Sequence, residues 1–195
     1  MLILLLSTLA AAVSPNNTSA TSDPPKQESI GNLELGITIG YGVPTDERLY
    51  VNPYGPSFSA RFGWAFGGPT VRFYVGAEGT ITTGLRRSYF TDSASANLFY
   101  AGAETGIRYY LPKQHMHLGA NLGAGLGQLT YRLGGQDDAE NACFCLSGAV
   151  TLGLGITRNV EVGVEAKFTW LAPWGGSFSE NMMAITPSVL STYRF

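Results

Sequence analysis

Charge is scarce in this chain: Asp, Glu, Lys and Arg make up 13% of its 195 residues, about half the usual share of a soluble globular domain. No basic stretch occurs, and the formal net charge is −2. The chain therefore lacks the phosphate-binding stripe of a nucleic-acid binder. Apolar runs of about 20 residues, which membrane-spanning helices need, are missing too. Only two histidines are present, His115 and His117, and their spacing of two has no third ligand beside it for zinc. What the chain does have is 10 Tyr, 10 Phe, 3 Trp and 25 Gly. Mean hydropathy is near zero, at +0.07. A weak average hydropathy with few charges is what alternating membrane strands produce.

Three segments differ in character. Residues 1–13, MLILLLSTLAAAV, form an apolar run ending in small residues. They read as a signal peptide with Ala10-Ala11-Ala12 as its recognition triplet, although no Lys or Arg precedes the run. Residues 14–32 are rich in Ser, Pro, Asn and Thr and have no periodicity, which predicts a disordered periplasmic linker. The remainder, 33–195, is predicted to be a β-barrel domain.

From Leu33 onward the period is two. Leu33, Leu35, Ile37, Ile39 and Tyr41 alternate with Glu34, Gly36, Thr38 and Gly40, a strand pattern rather than a helical one. Seven further runs repeat it, over Phe58–Phe66, Val71–Ile81, Phe99–Tyr109, Met116–Leu126, Phe144–Ile156, Val160–Trp170 and Met183–Phe195. Pro187 makes the eighth run the weakest, because it removes one ladder donor. Connections alternate in length. Those near 42–57, 83–97, 128–142 and 172–182 are long. Those at 67–69, 111–115 and 158–159 are short. Short turns at one end and long loops at the other are the architecture of an up-and-down transmembrane barrel. The fold class predicted is all-β, an eight-stranded antiparallel barrel. With the N-terminus in the periplasm, the long loops face outward.

Alternation alone does not separate a membrane barrel from a soluble sandwich. Three features do. The apolar faces of the eight runs carry no Asp, Glu, Lys or Arg. The opposite faces are rich in glycine, which weakens a solvent-facing strand but suits the narrow lumen of an eight-stranded barrel. Those faces also hold five charges of each sign: Glu34, Glu78, Glu104, Glu161 and Glu165 against Arg61, Arg72, Arg108, Lys167 and Arg194. Buried charges must be paired, so these ten are expected to form a salt-bridge network that fills the lumen. Aromatics at the strand ends suggest two interfacial girdles: Tyr41, Phe58, Phe99 and Trp170 near the long loops, Phe66, Tyr109, Tyr193 and Phe195 near the short turns.

On these residues the chain from Leu33 to Phe195 resembles the small OmpA/OmpX/OmpW-like outer-membrane barrels. The most specific match is the C-terminal segment Val189 to Phe195. Its terminal Phe195 and preceding Tyr193 resemble the assembly signal read by the barrel-assembly machinery. The glycine usual further up that signal is absent; Ser188 and Ser191 occupy the neighbourhood. The resemblance implies a bacterial outer-membrane location, contact with outer-membrane lipids and lipopolysaccharide, and a monomer.

Some small barrels modify lipids, which requires a Ser/His or similar pair at the outer rim. Both histidines fall beside a short turn at the opposite end and read as ordinary rim residues. No catalytic residue, metal ligand or cofactor site is expected. Cys143 and Cys145 lie two apart on one face near the outer end of the sixth run. A local disulfide, a metal-binding pair and free thiols all stay open. Neighbours at that spacing in a regular strand are hard to bridge, whereas an oxidising export compartment disfavours free thiols. The function expected is a non-enzymatic structural or surface-interaction role, with external-loop residues such as Tyr50, Pro53 and Tyr54 free for recognition. The alternatives are a lipid-modifying enzyme of the same architecture and a narrow OmpW-like channel for small apolar molecules.

Overall fold

The computed structural model describes residues 31–45, 55–84, 94–111, 115–133, 139–174 and 181–195. The expected signal peptide, nearly all of the linker, and Tyr50, Pro53 and Tyr54 lie outside the described residues. Eight strands follow one another: β1 (Asn32–Pro44), β2 (Gly55–Gly67), β3 (Val71–Thr83), β4 (Ala94–Tyr110), β5 (Met116–Leu133), β6 (Ala139–Gly155), β7 (Val160–Trp174) and β8 (Met182–Arg194). Each pairs antiparallel with the next, and β8 returns to β1 to close the barrel. Closure leaves no open sheet edge, so the backbone polar groups are satisfied without water. No helix among the described residues is long and apolar enough to cross a membrane. The strands are. At about 3.3 Å per residue, the shortest, with 13 residues, is roughly 43 Å long. Tilted by about 40°, it spans the ~30 Å hydrocarbon layer.

The two faces are inverted relative to a water-soluble protein. Phe62, Val75 and Leu122 are 53%, 53% and 69% exposed, whereas Glu34 and Glu78 are 1% and 3% exposed. Ile37, Trp64, Phe99, Leu118, Val164 and Val189 continue the outward apolar band around the barrel. Soluble monomers rarely expose contiguous apolar patches above a few hundred Å². A wall of this kind faces lipid.

The short turns follow from local chemistry. Gly67 has φ +129°, in the region that favours glycine, and Gly68 N–H donates to Val71 O at 2.9 Å. Between β6 and β7, Thr157 Oγ1 accepts from Asn159 N–H and Val160 N–H at 3.2 and 3.0 Å. The Phe66 and Phe73 rings stack at 5.9 Å across the first short turn. Tyr193 meets Phe195 edge-on at 4.9 Å, and Phe195 N–H donates to Leu33 O across the barrel seam.

One sequence expectation is corrected. The expected long loop near 128–142 is largely strand: β5 runs on to Leu133 and β6 begins at Ala139, leaving 134–138 between them. Beyond Leu126 the alternation continues with its polarity exchanged. Gln128 lies on the outer side and donates to Glu140 Oε2 at 2.8 Å, an exposed contact, while Leu129 turns inward with 1% exposure. Judged by its outward residues alone, the strand seemed to end. At Pro187 the expected weak point in the eighth strand is where the ladder breaks. The strand passes through it, with Pro187 opposite Ala166 of β7. The gap falls on the other side, where the β1–β8 ladder skips from Gly40↔Ser188 to Val43↔Ile185.

Candidate functional site

Among the described residues the charges gather in the interior, which is built in layers along the barrel axis. Residues one strand step apart alternate in and out, so the inward set is dictated by the same period that makes the exterior apolar.

The middle layer centres on Arg61 of β2. Its guanidinium grips Glu165 of β7 with two bonds, Nη1 to Oε2 at 2.5 Å and Nη2 to Oε1 at 2.6 Å. Its Nε and Nη2 also donate to Glu78 Oε1 at 3.3 Å. Glu78 sits directly opposite Arg61 in the β2–β3 ladder. Glu104 of β4 stands 3.3 Å from Arg61 Nε. Lys167 Nζ pairs with Glu78 at 2.6 Å and donates to Thr80 Oγ1 at 3.2 Å. Arg61 and Lys167 thus face three carboxylates. The bidentate fork is the strong form of the ion pair, and here it ties β2 to β7 across the lumen.

The lower layer lies at the short-turn end. Glu34 of β1 accepts from Arg108 Nη1 at 2.5 Å and from Arg194 Nε at 2.9 Å. Arg194 also reaches Glu161 and the hydroxyl of Tyr110. Glu161 in turn meets Nδ1 of His117. The Tyr110 ring carries the Arg72 guanidinium 5.3 Å from its centroid and that of Arg194 at 5.4 Å.

Nine of the ten charges singled out from the sequence therefore sit in ion pairs. Arg72 is the exception, held by the Tyr110 ring. Its ladder neighbour on β4 is Arg108, and like charges directly opposite repel. The layers are unequal. The middle sets two cations against Glu78, Glu104 and Glu165; the lower sets Arg72, Arg108 and Arg194 against Glu34 and Glu161. The surplus of one is opposite in sign in the two layers.

His117 is corrected from rim residue to lumen residue: it is 2% exposed and its ring lies 5.1 Å from that of Tyr110. Gly153 makes the room, since a Cβ there would fall 2.1 Å from His117 Cε1. His115 remains at the surface, with φ 50°. The inward parity of His117 within β5, with Gly119 and Asn121 following it, was the signal that could have placed it.

The upper layer, toward the long connections, was missed. Leu98, Tyr100, Leu129, Cys143, Cys145, Leu171 and Met182 pack there as one buried cluster. The interior is charged and glycine-lined over two layers and apolar in the third. Cys143 and Cys145 are both fully buried free thiols, with Sγ atoms 3.7 Å apart.

Little space is left between these layers. A cavity between the two charged layers, lined by Glu34, Arg61, Tyr74 and Arg108, holds about 10 Å³. Another beneath the apolar cluster, lined by Tyr100, Lys167, Thr80 and Leu171, holds about 20 Å³. Spaces of that size admit about one water each. Among the described residues, no group of three or more His, Cys, Asp or Glu is placed to hold a metal ion.

Closed strands, a lipid-facing exterior and a packed polar interior together define a small transmembrane β-barrel of the outer-membrane type. One solved structure shows the same fold, and others resemble it more weakly. Neisserial surface protein A, NspA, matches with a TM-score of 0.57 at 14% identity, covering 85% of this chain and 97% of that one. Ail, the attachment invasion locus protein of Yersinia pestis, was solved in complex with the heparin analogue sucrose octasulfate. It matches at 0.48 and 15% identity, covering 85% and 97%. The outer membrane protease OmpT from Escherichia coli matches at 0.47 and 10%, covering 92% and 100%. At 14% identity the likeness to NspA is one of fold alone. No protein-family model matches the sequence, and no curated protein does.

Proposed function

We propose that this chain is a non-enzymatic barrel of the bacterial outer membrane with a structural or surface-interaction role. The N-terminus is periplasmic in this reading, and the long connections face the exterior. The filled lumen carries the reading. Ion pairs tie β2 to β7 and β1 to β4 across the bore, an apolar cluster closes the long-loop end, and the cavities between hold about 10 and 20 Å³. A continuous path for solutes needs a bore that such packing removes.

The charged groups are engaged with one another rather than poised over a cleft, which favours a structural part for them over acid–base chemistry. Lipids are the partners that the exterior suits. On the outer wall a shallow concavity among Ala120, Gly148 and Ala166, rimmed by Ile107, Leu122 and Phe168, matches the profile of an acyl chain. The exposed pair Tyr193 and Phe195, on the strand that closes the barrel, is the feature the assembly machinery would read. NspA, a surface protein by name, shares this fold and is consistent with a role carried by the loops. Mass spectra of lipid A and phospholipids from cells with and without the protein test the reading. Identical lipid profiles are expected; a change in acylation that depends on this chain would overturn it.

A further inference from the structure

The apolar cluster at the long-loop end holds more sulfur than packing requires. Cys143 and Cys145 are consecutive inward residues of β6, both fully buried. Met182 of β8, 1% exposed, belongs to the same cluster. The Sγ atoms stand 3.7 Å apart, far beyond the ~2.05 Å of a disulfide.

The backbone resists closing that distance. Cys143 is held against Gly127 on one side and Pro173 on the other, and Cys145 against Gly125 and Leu171. A disulfide needs Cβ atoms about 3.8 Å apart, whereas residues two apart on a strand are separated by roughly 6.6 Å of rise. With both neighbouring ladders in place, β6 cannot contract to supply the difference. A metal ion bridges what a bond cannot. Two sulfurs at about 2.3 Å from one ion lie roughly 3.8 Å apart at a tetrahedral angle and roughly 4.0 Å apart at the trigonal angle of a three-sulfur site, so a shift of a few tenths of an ångström suffices.

The adjacent strand β5 leaves room for them. Gly127 faces the pair, and a Cβ there would come within 3.0 Å of both sulfurs. Leu98, Leu129 and Leu171 keep the surroundings apolar. Two thiolates with a thioether form a soft donor set of the kind that selects copper(I) over the metals that buried oxygens such as that of Asn141 would favour.

The geometry points to a binding site for a soft, thiophilic metal ion of the copper(I) type, held by Cys143 and Cys145 with Met182 as the third sulfur. Binding displaces one proton from each thiol and involves no change of oxidation state. The bis-thiolate centre keeps one negative charge. Lys167, paired with Glu78, is the nearest described cation, its Nζ 5.3 Å from the ring of Tyr100 in the same cluster.

The test uses the full chain refolded in detergent micelles with copper(I) under ascorbate, so that access to the buried thiols does not limit loading. Bicinchoninate serves as the competing chelator. One copper per chain is expected, with an ultraviolet thiolate-to-copper band. Cys143→Ser and Cys145→Ser should each weaken binding by about 100-fold, and Met182→Leu by about 10-fold, if each sulfur is a ligand. Heat-modifiable gel migration establishes that each variant still closes its barrel. A double Cys143→Ser/Cys145→Ser variant that folds and competes for copper as well as the wild type would overturn the site. So would wild-type protein that takes up no copper. Protein extracted from membranes whose two thiols resist alkylation until reduced would show a disulfide instead, and would overturn it equally.

Discussion

The two ends of the lumen are filled by opposite chemistries. Toward the short turns the interior is a web of guanidinium and carboxylate groups around Arg61, Glu34 and Arg194. Toward the long connections it is a cluster of Leu98, Leu129, Leu171 and Met182. The outer wall changes in step. Beside the charged layers it carries Phe62, Val75 and Leu122; beside the apolar cluster Phe99 and Met183 still face outward, now joined by exposed polar groups such as Gln128 and Glu140.

Where lipid surrounds the wall, burying an apolar side chain inside gains nothing, because lipid tails are as apolar as leucine. Specific polar pairing then holds the strands together. Toward the long connections, where polar groups join the outer wall, apolar residues pack against one another inside, away from water. One chain thus uses a membrane-type core below and a soluble-type core above.

Substitutions can break or sharpen this contrast. The largest effect is expected at Arg61. Arg61→Ala leaves Glu78, Glu104 and Glu165 buried with only Lys167 to balance them. A loss of about 3–5 kcal/mol should appear in denaturant unfolding of the refolded protein in micelles. Next comes the upper core, where Leu129→Ala, at a site 1% exposed, should cost about 3 kcal/mol by cavity formation. Its distance from the ion pairs makes the two losses additive, which the double variant would check.

On the lipid face, Leu122→Arg should cost about 2–4 kcal/mol when stability is measured in bilayers. The same change at Gln128, above the apolar band, should cost under about 1 kcal/mol. Gly153→Ala places a methyl against His117 and should destabilise by about 1–3 kcal/mol through overpacking; His117→Ala in the same chain should restore part of it. The smallest change is expected at Glu104. It contacts Arg61 only at 3.3 Å, and its layer already has one carboxylate too many. Glu104→Gln should alter stability by less than about 1 kcal/mol, in contrast to Glu165→Gln, which breaks the bidentate fork.

The barrel was legible because its period of two runs through all eight strands, and because the apolar runs from Leu35 to Val189 carry no charge on their outward faces. The inward charges were legible for the same reason: parity alone places Glu34, Arg61 and Glu161 on the lumen side. Their partners were not. Arg61 meets Glu165 across the lumen, 104 positions away in the chain, and no local pattern encodes which strands face one another at one height.

Strand ends were the least legible. Leu98, Leu129, Leu171 and Met182 sit at the parity opposite to the apolar residues of their own strands, so their strands seemed to stop where the surroundings of the wall change. His117 illustrates the limit from the other side. Its parity was inward, but proximity to a short turn suggested an exposed rim, and only the closeness of Gly153 across the ladder shows how a ring fits inside.

The central claim is that the lumen is packed shut. Single-channel recording of the refolded protein in a planar lipid bilayer tests it most directly. The account predicts a silent barrel in the wild type, and rare openings only after Arg61→Ala loosens the middle layer. A steady ohmic conductance from the wild-type protein would contradict it.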